Sequence, residues 1–154
     1  MNKVISVLLL LLFVLELPLF AGLDSDKAMY VGGTVTTIPQ KAEGILYTND
    51  PTVASFAWKD GHWSVPYSAI TTIDYGQHAG RRVGMAIFVS PVTLLSKKRR
   101  HYLTLEYTDT TGVKQAAIFE LGKDAIRTTL KILETRTGKK IEYEDDEARK
   151  AGNK

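Results

Sequence analysis

The 154-residue chain contains no cysteine. Disulfide bonds, thiolate metal sites, thiol nucleophiles and an N-terminal lipidated cysteine are therefore excluded. A hydrophobic fraction of 44% with 24% charged residues is ordinary for a globular protein, so the composition does not indicate general disorder. A domain of about 130 residues buries roughly two thirds of its unfolded surface, which is enough for a core without disulfides.

Signatures of catalysis and metal binding are also scarce. The three histidines, His62, His78 and His101, are too far apart in sequence to form the paired pattern of a metal-binding helix. The sequence lacks a Gly-x-Ser-x-Gly elbow and a phosphate-binding loop. We expect a protein that is not an enzyme and holds no cofactor or metal. An enzyme that uses His78 as a base, with Asp74 or Glu106 as a carboxylate, is the less favoured alternative.

The N-terminus has the layout of an export segment. Lys3 gives a positive start, residues 4–20 are almost wholly apolar, and Ala21-Gly22 supplies small residues. This order predicts a signal peptide over residues 1–22. If the segment is not cleaved, residues 4–23 are long enough to act as a membrane anchor. Both alternatives place the domain outside the cytoplasm, as a periplasmic, secreted or anchored protein.

Turn residues divide the rest of the chain into short strands. Residues 23–41 are predicted as an N-terminal arm or strand, in which residues 28–38 form either an edge strand or an arm on the domain. Asp60-Gly61 separates two alternating apolar runs and indicates a tight hairpin. Asp109 to Gly112 marks another turn. We count seven strands between Gly44 and Leu121.

One helix follows the strands. Ile126, Leu130 and Leu133 recur at helical spacing and Gly138 ends the pattern, which predicts a helix over residues 124–137. This helix completes a β-domain over residues 42–143. The remaining residues, 144–154, are predicted as a charged, flexible tail.

Seven strands followed by one helix resemble the pleckstrin-homology-like (PH/GRAM-like) superfold. Four segments are also similar to a group of small exported bacterial proteins of uncharacterised function. They are Tyr75-Gly76-Gln77, Ala79-Gly80-Arg81-Arg82-Val83-Gly84, Ser96-Lys97-Lys98-Arg99-Arg100-His101-Tyr102-Leu103 and Phe119-Glu120-Leu121-Gly122-Lys123-Asp124-Ala125. The resemblance implies a mainly β (α+β) fold: a seven-stranded split β-barrel of PH-like type, closed by one C-terminal helix and preceded by an apolar export helix. It implies no activity.

The charges are unevenly distributed. No acidic residue lies between Asp74 and Glu106, whereas six basic residues do, in two clusters that flank one apolar run. We predict that this region contacts an anionic surface, with the leucines entering a lipid headgroup region. The predicted contact residues are Arg81, Arg82, Leu94, Leu95, Lys97, Lys98, Arg99 and Arg100. A basic loop that is only solvated is the alternative.

The sequence therefore predicts a non-catalytic binding module outside the cytoplasm. Its partner would be an anionic lipid surface or an acidic envelope protein, and no nucleic acid is expected because export removes the chain from it. The alternative is a structural envelope subunit that engages a protein partner by an edge strand or an aromatic surface. Trp58, Trp63, Tyr67 and Tyr75 would form that surface, unless they fill the core. The sequence specifies neither a small-molecule ligand nor an oligomeric state.

Overall fold

A computed structural model describes residues 25–78, 88–89 and 100–153 of the chain. The predicted export segment, residues 1–22, lies outside the described residues. None of the helices within the described ranges is long and apolar enough to cross a membrane.

The chain is mainly β. Its strands are β1 (Ser25–Gly33), β2 (Glu43–Tyr47), β3 (Val53–Trp58), β4 (Gly61–Pro66), β5 (Ile70–Gly76), β6 (Phe88–Val89), β7 (His101–Thr108), β8 (Lys114–Leu121) and β9 (Ile141–Tyr143). A 3-10 helix (Tyr67–Ala69) joins β4 to β5, and the two α-helices are α1 (Ile126–Thr137) and α2 (Asp146–Gly152).

The strands form one open, mixed sheet in the order β4-β3-β2-β1-β8-β7-β5-β9, with β6 paired to β1. All pairs are antiparallel except β5 with β9. The prediction of a seven-stranded split β-barrel of PH-like type, closed by one C-terminal helix, is therefore wrong. It failed because β1 enters the sheet between β2 and β8 while β9 extends it beyond β5. The apolar export helix of that prediction falls on residues outside those described.

The two predicted hairpin turns are confirmed. Only Lys59-Asp60 separates β3 from β4, and Trp58 pairs with Gly61. In the turn between β7 and β8, the Asp109 carboxylate accepts the N–H groups of Thr111 at 2.9 Å and Val113 at 3.0 Å. Gly112 follows with a φ of 83°, a left-handed conformation that favours glycine. Local turn chemistry thus fixes the register of both hairpins.

Of residues 28–38, predicted as an edge strand or an arm, residues 28–33 belong to an internal strand instead. β1 pairs with β2 on one side and with β8 on the other. Its register with β8 shifts between Tyr30 and Gly32, so Val31 lies at a bulge. At Gly33 a Cβ atom would lie 2.1 Å from the carbonyl oxygen of Ala116, so this close strand approach requires glycine. A central position explains why Tyr30 and Val31 are buried.

The main core lies on one face of the sheet, under α1. Ile126, Leu130 and Leu133 are all buried there, as their helical spacing predicted. Gly138 adopts a left-handed φ of 69° and its N–H bonds to the carbonyl of Glu134, which ends α1. A smaller cluster of Val31, Tyr102 and Ile118 is buried elsewhere in the sheet.

The C-terminal residues are not a flexible tail. The Asp145 carboxylate accepts the N–H of Ala148 at 2.7 Å, which caps α2. Ala148 is fully buried in the main core. A Cβ atom on Gly152 would meet Tyr143, Leu130 and Tyr75 at 3.0 to 3.3 Å. The prediction for residues 144–154 failed because a capped helix with one small apolar face packs onto β5, β9 and α1.

Candidate binding surface

The predicted basic clusters belong to the connection between β5 and β7. These strands are neighbours, with Gly76 opposite Tyr102, and between them the chain pairs with β1 through β6. Arg100 immediately precedes β7 and is within the described residues. The other predicted contact residues lie outside them: Arg81, Arg82, Leu94, Leu95, Lys97, Lys98 and Arg99. The two ends of the connection therefore lie on adjacent strands, β5 and β7.

Arg100 forms an ion pair with Glu120 of β8. Its Nη1 atom lies 2.7 Å and 2.8 Å from the two carboxylate oxygens. The hydrogen bond to Glu120 and the negative charge of this residue raise the pKa of Arg100, which keeps the guanidinium charged. The Arg100 side chain is 40% exposed, so this cation is fixed in place while still facing solvent.

Sequence reasoning missed Glu120 as the partner of Arg100, although a local signal was present. Once the turn from Asp109 to Gly112 is placed, the antiparallel register follows and sets Tyr102 opposite Glu120. Arg100 then lies two residues along the same face, at the diagonal spacing that long side chains can bridge. The pair follows from the hairpin register without any long-range information.

A groove of about 600 Å³ adjoins this ion pair. Met29 pairs with Glu43 of β2 and with Glu120 of β8, so these side chains share the sheet face opposite the main core. The groove is lined chiefly by Lys27, Met29, Glu43, Ile45, Arg100 and Glu120. Two basic and two acidic side chains flank two apolar ones. The groove itself therefore favours neither sign of ligand charge.

Tyr75, which is buried, and His101, which is partly buried, form a pair beside the start of β7. The Tyr75 hydroxyl lies 2.5 Å from Nδ1 of His101, and the two rings are stacked. Burial raises the pKa of Tyr75 to about 12, helped by nearby Tyr143. Burial also lowers the pKa of His101, as does the positive charge of Lys123, against an opposite effect of Glu120. A protonated hydroxyl and a neutral imidazole therefore share this hydrogen bond, an arrangement suited to structure rather than to proton transfer.

Glu144 holds the first residues of the connection. Its Oε1 lies 2.9 Å from Nδ1 of His78, and its Oε2 accepts the N–H groups of Gln77 at 2.9 Å and His78 at 3.1 Å. The Glu144 side chain is only 8% exposed. The histidine that the sequence offered as a base is thus held by a carboxylate from the C-terminal segment. This contact anchors the connection to the residue that follows β9.

The four aromatic residues predicted as a possible contact surface belong to the core. Trp63, Tyr67 and Tyr75 are buried, with relative exposures of 9%, 3% and 1%. Trp58 is partly buried and stacks on Phe56. They contribute to the hydrophobic core and do not form an exposed aromatic surface.

Across the described residues, no group of three or more His, Cys, Asp or Glu side chains is placed to hold a metal ion. No protein-family model matches the chain, and no curated protein matches it. The resemblance to small exported bacterial proteins thus stays a prediction from the sequence.

Proposed function

We propose that this protein is a non-catalytic binding module outside the cytoplasm that contacts an anionic lipid surface. The contact is made by the basic residues of the connection between β5 and β7. The pairing of Gly76 with Tyr102 carries the proposal, because it anchors both ends of that connection on neighbouring strands. In the sequence, this connection contains six basic residues and no acidic ones.

Lipid phosphates are negatively charged and therefore attract the basic residues of this connection. A basic residue near an anionic membrane surface contributes about 1 kcal/mol, so a cluster binds where single residues do not. Leu94 and Leu95 stand next to the second cluster and add apolar area for the headgroup boundary. The location outside the cytoplasm is supported by the export layout of residues 1–22.

Arg100 is the one of the six basic residues that lies within the described residues, and Glu120 neutralises it. We assign it to positioning the start of β7, and the membrane contact to Arg81, Arg82, Lys97, Lys98 and Arg99. An acidic protein partner would be recognised by the same charges, but it would gain nothing from the adjacent leucines.

Liposome co-sedimentation tests the proposal. The full chain is compared with a variant carrying Arg81→Gln, Arg82→Gln, Lys97→Gln, Lys98→Gln and Arg99→Gln, on vesicles with and without anionic lipid. All variants share the N-terminal segment, so any difference reports the substituted residues. We expect the variant to bind anionic vesicles at least about tenfold more weakly, because several contributions of ~1 kcal/mol are lost.

A matched control removes five exposed basic residues elsewhere in the protein. They are Lys59, Lys114, Lys131, Lys139 and Lys150, each changed to Gln. This control has the same net charge as the test variant and should bind like the unmodified protein. Equal weakening of both variants would reduce the effect to net charge. Absence of a preference for anionic vesicles in the unmodified protein would refute the membrane contact.

A further inference from the structure

β4 forms one edge of the sheet. It pairs with β3 over its whole length, from Gly61 to Pro66, and has no second partner strand among the described residues. The side chains of His62, Ser64 and Pro66 are exposed, whereas Trp63 and Val65 point into the core. A six-residue edge of this kind is long enough to pair with another strand.

The hydrogen-bond pattern shows which backbone groups face outward. The Tyr67 N–H donates to the carbonyl of Thr52 at 2.9 Å, directly beyond the last pair of the hairpin. In an antiparallel ladder, hydrogen-bonded residues alternate with residues whose N–H and C=O point away. Odd-numbered residues of β4 thus bond to β3, while His62 and Ser64 present both groups at the free edge.

Pro66 is also a residue whose backbone groups point away from β3, so its missing N–H does not weaken the hydrogen bonding between β3 and β4. Proline is tolerated in a sheet at an edge position of this type. The free edge consequently offers two N–H donors and three carbonyl acceptors, from His62, Ser64 and Pro66.

We infer that β4 pairs antiparallel with β4 of a second copy of this chain, around a two-fold axis at Ser64. In that register Ser64 bonds reciprocally with Ser64 of the second copy. The His62 N–H meets the Pro66 carbonyl of the second copy, and the same holds in reverse. All outward N–H donors of both strands are thereby satisfied, whereas the His62 carbonyl of each copy faces Pro66, which has no N–H to donate.

The side chains permit this pairing. On the exposed face, serine meets serine and histidine meets proline, so no two like-charged residues are opposed. The charged turn residues Lys59 and Asp60 fall opposite Ala69 and Ser68 of the second copy. On the other face, Trp63 lies across from Val65, which would make the two cores continuous. Many natural edge strands carry charged side chains that prevent such pairing. β4 carries none.

Cysteine cross-linking tests the register, and the chain suits it because it has no cysteine. Ser64→Cys is produced in the full chain in a secreting host and analysed on non-reducing gels. Directly opposed hydrogen-bonded residues have Cα atoms about 5.5 Å apart, within the range for a disulfide. We expect a reducible dimer from Ser64→Cys. We expect none from the matched control His62→Cys, whose two sites would lie about 13 Å apart.

Ser64→Pro supplies a second, independent readout by sedimentation velocity. It removes the outward donor of Ser64 but leaves the bonds between β3 and β4 intact. We expect the unmodified protein and Ser64→Ala to dimerise with rising concentration and Ser64→Pro to stay monomeric. Failure of Ser64→Cys to cross-link, equal cross-linking of His62→Cys, or a dimer of Ser64→Pro would each overturn the inference.

Discussion

The two edges of the sheet are built in opposite ways. At one edge, β9 has three residues and runs parallel to β5, and α2 packs against both strands. Glu144 and the buried Ala148 fix that cover in place. At the other edge, β4 has six residues and exposes alternate side chains to solvent.

The β9 edge is covered by the domain itself, whereas the β4 edge is open to pairing with another strand. A short edge strand beneath a helix is a common protection against unwanted pairing. Among residues 25–78, 88–89 and 100–153, β4 has no such protection beyond Pro66, whose position leaves the outward carbonyls available. We therefore treat the β9 edge as part of the stability of the domain and the β4 edge as a surface for association.

An aspartate introduced at each of the two edges should change the free energy of unfolding by very different amounts. Ala148→Asp places an unpaired carboxylate in the core, and we expect it to lower the free energy of unfolding by about 3 kcal/mol or more. Ser64→Asp adds the same group to an exposed position, and we expect a change within about 0.5 kcal/mol. Urea unfolding of both variants measures the contrast. Similar costs would mean that α2 does not cover the β9 edge.

A smaller effect should appear as a pH dependence of stability near the covered edge. Burial lowers the pKa of His101 below its ordinary value of 6.5, so the unfolded chain binds a proton more readily than the folded one. The resulting stability is present above pH 6.5 and is lost as the pH falls from there toward the folded pKa. Tyr75, which bonds to His101 and contacts Gly152, links this titration to α2.

Urea unfolding between about pH 7.5 and about pH 5 measures this dependence. His101→Gln is the comparison, because it removes the titrating group while keeping a polar side chain. We expect the unmodified protein to lose more stability than the variant over that range. Identical slopes would show that His101 is not shielded from water in the way that the structure places it.

Features set by neighbouring residues could be predicted from the sequence. Asp60-Gly61 marked the place of the β3–β4 hairpin, although its two loop residues are Lys59 and Asp60. The turn at Asp109 and the end of α1 at Gly138 follow from the conformations that Asp and Gly favour. α2 also had a local signal, since Asp145 caps a turn that begins with acids and ends with Arg149 and Lys150. That signal was missed because the high charge of the segment was interpreted as flexibility.

Features set by distant residues could not be predicted. β1 pairs with β8 across some ninety positions, and its own sequence does not show that both of its edges are occupied. β9 consists of only three residues, too few to show a strand pattern in the sequence, and it is a strand because it pairs with β5. At the candidate binding surface, by contrast, the charge clusters were evident in the sequence, and the neutralisation of Arg100 by Glu120 could have been predicted from the local register of the β7–β8 hairpin.

Hydrogen exchange resolved at single amides tests the central contrast most directly. In dilute solution, the amides of Trp63, Val65 and Tyr67 should exchange slowly because they bond within the hairpin, while those of His62 and Ser64 exchange fast. At high concentration, the His62 and Ser64 amides should become protected as a second copy pairs with β4. Fast exchange of these two amides at every concentration, or protection of both even in dilute solution, would contradict the account.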